Sequence, residues 1–426
     1  MRLKRIDTKQ LGILFFFCAS MLNRYILMAF LLFLVFRGIR NVSSAVDGLI
    51  IISIRTILNP QIAVDISTAQ TIKWLSIFVL SGFIFFRTFY ASRRTKVNNQ
   101  IILVVFFGLF ISIISLFNSC YPIVSIFKCF SYAFVFICVI LGVDFTRDSM
   151  DWAEHLYKYF TLLFFTSALL SPFSFSYYSS ARWYMGITNQ SQMFAIMAVL
   201  YLSLLLYRMI NGHRSLFQTI MLCVTFVLTY LSGSRTGIIA AAVCIIYAIY
   251  IEVVKNRRYA IVVILFCSVI VIFLLGYQDE VMDLFRTALL KGQADSSTAK
   301  VSFDTLTSSR YKQYLTFMEK FKNDFLFGSG FMVPFTPGIK DWNLSFSLIV
   351  ENGNLFYSLL GDIGVMGLML FVVCYGHLFL KGNKGCGRII LFIAPFIICM
   401  GEMVFFSTNN NAPILYVMLS YYLCGE

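Results

Sequence analysis

Three arginines stand in segments whose neighbours suit the binding of a phosphorylated ligand. Arg235 lies in LSGSRTGII, surrounded by serine, threonine and glycine, which let another group approach the backbone at a helix N-terminus. Arg182 lies in SSARWYMGITNQSQ, and Arg310 begins the amphipathic sequence RYKQYLTFMEKF. A guanidinium group can donate two parallel hydrogen bonds to the oxygens of one phosphate. The three arginines together therefore predict a site for a phosphate or pyrophosphate. For each of them the alternative stays open that it extends to lipid headgroups or pairs with an acid.

The composition predicts that these arginines stand on a helical membrane protein. The 426 residues are 59% hydrophobic and only 13% charged, whereas soluble domains carry about 25% charged residues. Apolar stretches of roughly 15 to 25 residues predict helices rather than the alternating strands of a barrel. The net charge of +14 comes mostly from short loops, and because no basic stripe with interleaved aromatics occurs, nucleic acid is not expected as a partner.

About twelve membrane spans are predicted, and basic loops alternate with loops that carry little charge. The spans lie near residues 11–36, 72–90, 101–117, 122–142, 158–172, 192–208, 217–232, 237–253, 259–276, 354–380, 389–406 and 412–424. The positive-inside rule then places both termini in the cytoplasm and the three arginines on the outer face. Two points stay open: Arg24 interrupts the first span, which could be a broken helix, and segment 42–58 is either re-entrant or lies along the outer interface.

One long outer segment, residues 277–353, separates a membrane part at 1–276 with nine spans from a second one at 354–426 with three. Helix-like apolar spacing in YQDEVMDLFRTALLKG, and again from Arg310 through Tyr311 and Tyr314, predicts amphipathic helices in it. A long structured loop in a compact protein is usually functional.

Besides the arginines, the outer face offers few groups for chemistry. No cluster of His, Cys or carboxylates has metal-ligand spacing, and neither a GxSxG elbow nor a P-loop occurs. The sequence therefore predicts chemistry by arginine with a carboxylate, without a metal ion or other cofactor. Glu351 and Glu402 are the candidate acids, although Glu402 could instead pair with a neighbouring helix. Asp362 is expected on the surface of a helix.

The order of these motifs resembles the O-antigen polymerase and ligase superfamily of the bacterial inner membrane. The resemblance covers most of the chain and rests on RWYMG followed by TNQSQ, on SGSRTG, on SRYKQY with FLFGSGF, and on GNLFYSLLGDIGVMGL. It implies an all-α, polytopic membrane bundle with a GT-C-like architecture, and an enzyme whose active site faces the periplasm. It also implies a glycosyltransferase that acts on glycans linked to undecaprenyl pyrophosphate, both as donor and as acceptor, within membrane lipid.

The resemblance further implies roles for individual residues. Arg182, Arg235 and Arg310 match the arginines thought to hold the pyrophosphate in this superfamily. The predicted catalytic residues are Arg235, Arg310, Glu351 and Glu402. The predicted substrate-binding residues are Arg182, Asn189, Ser234, Tyr311, Tyr314 and Asn354. A chain-length regulator and a flippase are candidate protein partners.

One departure from the superfamily pattern bears on the reaction. Ligases usually carry a His–Asn pair shortly before the glycine that matches Gly364, whereas this chain has Gly353 followed by Asn354. The missing histidine favours a polymerase over a ligase, which remains the alternative. A flippase or other transporter of lipid-linked oligosaccharide is a more distant alternative, because no matched pair of interrupted helices relates the two halves of the chain.

Overall fold

The computed structural model describes residues 8–90, 98–178, 183–256, 311–344, 353–382, 385, 387–408 and 410–424, which form α-helices joined by turns and loops. Within them lie fourteen α-helices and two short 3-10 helices, and pairing between extended segments is limited to two isolated bridges. The helices are α1 Thr8–Ala19, α2 Arg24–Gly38, α3 Val42–Thr56, α4 Gln70–Tyr90, α5 Asn98–Asn118, α6 Pro122–Thr146, α7 Trp152–Leu170, α8 Ser191–Ile210, α9 Leu216–Leu231, α10 Arg235–Lys255, α11 Tyr311–Asn323, α12 Leu355–Lys381, α13 Ile390–Cys399 and α14 Ala412–Cys424.

Several of these helices are long and apolar enough to cross a membrane. Among the described residues they are Ile66–Tyr90, Asn99–Asn118, Pro122–Thr146, Ser191–Ile210, Arg235–Lys255 and Leu355–Lys381. Three shorter apolar helices, α9, α13 and α14, accompany them. The expectation of an all-helical, multi-pass membrane protein is thus confirmed, while the number of twelve spans stays a prediction. The span expected at 259–276 and the helix expected in YQDEVMDLFRTALLKG lie outside the described residues.

The expected first span consists of two helices, as the broken-helix alternative proposed. A turn separates α1 from α2, and Asn23 caps α2 by accepting a hydrogen bond from the N–H of Tyr25 at 2.8 Å. The rings of Phe16 and Phe30 pack edge to face, with centroids 5.3 Å apart. The two helices therefore lie side by side rather than forming one long span.

The expectation that residues 42–58 lie along the outer interface is wrong, because α3 is buried within the bundle against α2, α4 and α6. The re-entrant alternative stays a prediction. Asp47 pairs with Arg37 at 2.6 Å, and Arg55 donates a hydrogen bond of 2.6 Å to the carbonyl oxygen of Val64. A buried charge is tolerated when it is paired and hydrogen-bonded, so these partners allow a charged helix inside the bundle.

Helix α12 is broken at Gly364, where φ is +66° and ψ is −171°, a conformation essentially restricted to glycine. The loop after α11 fits into the break. The N–H of Val365 donates to the carbonyl oxygen of Phe325 at 3.0 Å, and that of Met366 to Leu326 at 3.1 Å. A Cβ on Gly364 would overlap the carbonyl group of Leu326. Glycine is required at position 364 because the backbone of the loop after α11 lies directly against the backbone of α12 there.

Replacing Gly364 with alanine is therefore expected to lower the unfolding temperature by several degrees, since either the loop or the break in α12 must shift. Gly376→Ala, in the same helix, is the matched control: nothing lies within 4 Å of a Cβ built there, and alanine favours helix over glycine. Thermal unfolding of the two purified variants in detergent measures the difference. Equal unfolding temperatures for both would contradict this account of the break.

Candidate active site

The turn between α9 and α10 forms the centre of the candidate site. Arg235 is the first residue of α10, and its side chain is partly buried. Ser234 caps this helix, because its Oγ accepts a hydrogen bond from the N–H of Gly237 at 3.2 Å. Arg235 therefore stands at the positive end of a helix dipole, which adds to the attraction of its guanidinium group for an anion.

The segment that follows Arg182 packs against this turn. The ring of Trp183 lies against Gly233, where a Cβ would overlap it. The N–H of Tyr184 donates to the carbonyl oxygen of Leu231, at the end of α9, at 3.0 Å. Arg182 itself lies outside the described residues. The contact joins two of the three arginine-containing segments. Trp183 was not among the predicted site residues, although it directly follows Arg182.

Glu402 lies on a second turn that contacts the first. Helix α13 ends at Cys399, so Glu402 lies in the turn after this helix, and its side chain is partly buried. Thr236, the neighbour of Arg235, packs its side chain against Gly401, where a Cβ would overlap it. The structure thus brings together the turns that carry Arg235 and Glu402. Such contact between α10 and α13 is not visible in the spacing of the sequence.

Asn354 connects the start of α12 to the turn that carries Glu402. Its Oδ1 accepts hydrogen bonds from the N–H groups of Phe356 at 2.9 Å and Tyr357 at 3.2 Å, which caps α12. Its Nδ2 donates to the carbonyl oxygen of Met400 at 2.9 Å. In the described structure Asn354 therefore positions the Glu402 turn, and direct contact with substrate stays a prediction. We call the end of the bundle formed by residues 232–236, 400–402 and 353–357 the Arg235 end.

Helix α11 covers the first turn of α12 and confirms the amphipathic helix expected after Arg310. The ring centroids of Tyr314 and Phe317 lie 6.4 and 5.1 Å from that of Tyr357. Tyr314 remains 44% exposed, so part of its ring is available to a ligand. Tyr311 begins the helix, whereas Arg310 and Glu351 lie outside the described residues.

A buried ion pair fastens α11 to α12, and the expectation that Asp362 lies on a helix surface is wrong. Lys320 Nζ lies 2.6 Å from Asp362 Oδ1, and the two side chains are 4% and 2% exposed. Asp362 Oδ2 also accepts a hydrogen bond from the N–H of Met332 at 2.9 Å, while Lys320 donates to the carbonyl oxygen of Val333 at 2.6 Å. The pair therefore holds both α11 and the loop that follows it.

The same loop is held from the other side by the α5–α6 hairpin. Asn118 donates to Asp324 at 2.6 Å, and Lys128 donates to the carbonyl oxygen of Met332 at 2.6 Å. A Cβ on Gly330 would overlap Ser119. Contacts on two sides fix the loop in place, and with it the position of α11.

Asn189 lies just before α8, on the segment that also contains Trp183. Its N–H donates to the carbonyl oxygen of Ile57 at 2.8 Å. Its Oδ1 is buried, and no described residue donates a hydrogen bond to it. A shielded acceptor without a donor costs free energy, so Asn189 suits a ligand that supplies a hydroxyl group. Within the described part of the chain, no group of three or more His, Cys, Asp or Glu side chains is arranged to hold a metal ion.

Comparison with known families supports the resemblance drawn from the sequence. Residues 219–372 match the model of a family described as O-antigen ligase, which is just over a third of the chain. The matched region contains most of α9, all of α10 with Arg235, the segment with Arg310, and Asn354 with the larger part of α12. No curated protein shows a significant match to the chain. The match supports the O-antigen polymerase and ligase superfamily, in which glycosyl transfer is the common chemistry.

Proposed function

We propose that this protein polymerises O-antigen repeat units carried on undecaprenyl pyrophosphate. The main supporting observation is the position of Arg235 at the N-terminus of α10. The turn that contains Arg235 contacts the turn that contains Glu402. A guanidinium group at a helix N-terminus suits a pyrophosphate, and a nearby carboxylate suits an acceptor hydroxyl. The similarity to the O-antigen ligase family over residues 219–372 supports this reaction class.

In the proposed reaction, the growing glycan on its lipid pyrophosphate is the donor. A hydroxyl oxygen of a lipid-linked repeat unit attacks the anomeric carbon, and the bond from that carbon to the pyrophosphate oxygen breaks. The hydroxyl proton passes to a carboxylate, for which Glu402 and Glu351 are the candidates. The products are a glycan longer by one repeat unit and free undecaprenyl pyrophosphate.

In this proposal, arginine side chains supply most of the stabilisation of the transition state. Negative charge grows on the pyrophosphate as it leaves, and preorganised cationic groups that neutralise this charge lower the barrier. We assign this role to Arg235 and Arg310, with Arg182 as a further pyrophosphate ligand. No metal ion or other cofactor is required, because the guanidinium groups take the place that a divalent cation has in other phosphate sites.

The remaining predicted residues are assigned to the sugar and the lipid. Ser234 and Asn354 belong to the Arg235 end, Asn189 lies on the segment that continues from Trp183, and Tyr311 and Tyr314 lie on α11. We propose that α11 covers the bound substrate, with the exposed part of Tyr314 turned towards it. A chain-length regulator and a flippase remain candidate partners at the same membrane.

The distribution of basic residues supports an orientation in the bacterial inner membrane. Basic loops that alternate with nearly uncharged ones favour cytoplasmic termini under the positive-inside rule. In that orientation the Arg235 end faces the periplasm, where the lipid-linked glycan would be available to it. This orientation specifies which side of the membrane the Arg235 end faces, and it does not depend on which sugars the repeat unit contains.

A ligase that transfers glycan to the lipid A core is the second candidate, because the matching family is described as O-antigen ligase. Gly353 argues for the polymerase, since the histidine of the ligase pattern is replaced there. A deletion strain examined by a glycolipid gel separates the two reactions. Loss of the ladder with a single repeat unit still attached to lipid A core supports a polymerase. Loss of all attached glycan would overturn that assignment in favour of the ligase.

A further inference from the structure

A cavity of about 610 Å³ opens between the ends of α1, α2, α3 and α7, a size usual for ligand sites. Its polar part contains the side chains of Arg37, Arg40, Ser43 and Ser44. Its apolar part is formed mainly by α1 and α2, which contribute Gly12, Ile13, Phe16 and Phe33, with Met150 just before α7.

The cavity lies away from the candidate active site. Helix α3 begins at the cavity, and just beyond its other end the N–H of Asn59 donates to the carbonyl oxygen of Ile187 at 2.8 Å. Ile187 belongs to the segment that continues from Trp183, which packs on the Gly233 turn. A helix of 15 residues is about 22 Å long. The cavity and the Arg235 end are therefore at opposite ends of α3.

The charges lining the cavity favour an anion. Asp47 is buried and contacts Arg37 at 2.6 Å, His155 Nε2 at 2.7 Å and the hydroxyl of Tyr159 at 2.7 Å. The carboxylate is thus fully engaged and balances the charge of Arg37, which it also holds in the cavity wall. Arg40 is exposed at the turn between α2 and α3 and supplies the remaining positive charge.

We propose that this cavity binds the headgroup of an anionic phospholipid, with an acyl chain lying along Phe16 and Phe33. Basic pockets between membrane helices suit lipid phosphates because the arginines balance the phosphate charge. The hydroxyl group of Ser44 adds a hydrogen-bond donor beside the arginines, whereas that of Ser43 donates to Asn41 Oδ1 at 3.0 Å. The same two helices, α1 and α2, also carry the exposed apolar side chains Phe15 and Phe36, which are 76% and 70% exposed. A free phosphate ion would leave this apolar wall unused.

The test uses the full-length protein reconstituted in nanodiscs of phosphatidylcholine with increasing fractions of phosphatidylglycerol. Native mass spectrometry counts the retained lipid, and the unfolding temperature is measured in parallel. Arg40→Gln is expected to weaken retention of phosphatidylglycerol about fivefold, the loss expected for one basic residue at an anionic surface. Arg24→Gln is the matched control, because Arg24 is an exposed arginine at the other end of α2.

A second variant fills the cavity without altering its charge. A Cβ on Gly12 would have nothing within 4 Å, so Gly12→Leu is expected to keep the fold while reducing retained phosphatidylglycerol. The proposal is overturned if phosphatidylcholine is retained equally well, or if Arg40→Gln and Arg24→Gln behave alike. It is also overturned if inorganic phosphate alone raises the unfolding temperature as much as phosphatidylglycerol does, since the ligand would then be a free anion.

Discussion

Replacing Arg235 with alanine is expected to reduce glycan polymerisation by roughly 10²-fold or more, the loss typical of removing one group that stabilises a charged leaving group. The side chain is partly buried at the N-terminus of α10, so water cannot fully replace it. Arg235→Lys keeps the charge but loses the paired hydrogen bonds of the guanidinium group. Its activity is expected to lie between those of the alanine variant and the unaltered protein. Chain length on glycolipid gels, at matched protein levels, measures these effects.

The matched control for this prediction is Arg214→Ala. Arg214 precedes α9 and pairs with Glu252 of α10 at the other end of the α9–α10 hairpin, so its loss removes an arginine that contacts the hairpin without touching the turn. It is expected to leave polymerisation unchanged. If Arg235→Ala and Arg214→Ala gave ladders of equal length, the assignment of Arg235 to pyrophosphate would be wrong.

Breaking the ion pair between Lys320 and Asp362 is expected to have the largest effect on stability. Both groups are buried, and removing one partner of a buried pair typically costs about 3–5 kcal/mol, because the other charge is left uncompensated. Asp362→Asn should be more harmful than Lys320→Met, since Lys128 also bonds to Met332 and two ammonium groups would then face each other without a carboxylate. Unfolding in detergent, followed by tryptophan fluorescence, measures the loss.

The double variant Lys320→Met with Asp362→Asn separates the loss of charge pairing from a simple packing defect. It removes both charges while an amide oxygen can still accept the hydrogen bond from Met332, so it is expected to be more stable than Asp362→Asn alone. Additive losses in the double variant would contradict a direct interaction between the two charges. Because the pair holds α11 over α12, both single variants should also lose polymerisation.

The helical membrane bundle was predictable from the sequence, because a long apolar stretch with few charges is stable mainly as a helix within a bilayer. The interfacial alternative for residues 42–58 was wrong, because α3 and its charged residues Asp47 and Arg55 are buried. Their burial depends on partners distant in sequence, such as His155 for Asp47 and Ser20 for Arg55. Periodicity describes one segment at a time, so it cannot reveal charges that are neutralised across the bundle.

The part of the candidate site that depends only on neighbouring residues in the sequence was predictable. The serine before Arg235 and the small residues around it indicate a capped helix N-terminus, and α10 begins there. The contact of Thr236 with Gly401 and the insertion of residues 325–327 at Gly364 were not predictable. Both depend on the close approach of a segment far away in the chain to a glycine, which the glycine permits but does not specify.

The most direct test of the proposed polymerisation is a reaction with purified components. The protein in nanodiscs is given an undecaprenyl-pyrophosphate-linked repeat unit alone, without lipid A core, and the products are separated by length. A polymerase with Arg235 at its pyrophosphate site predicts glycans of two or more repeat units together with released undecaprenyl pyrophosphate, and neither product with Arg235→Ala. Product that formed only after lipid A core was added would contradict polymerisation and identify a ligase.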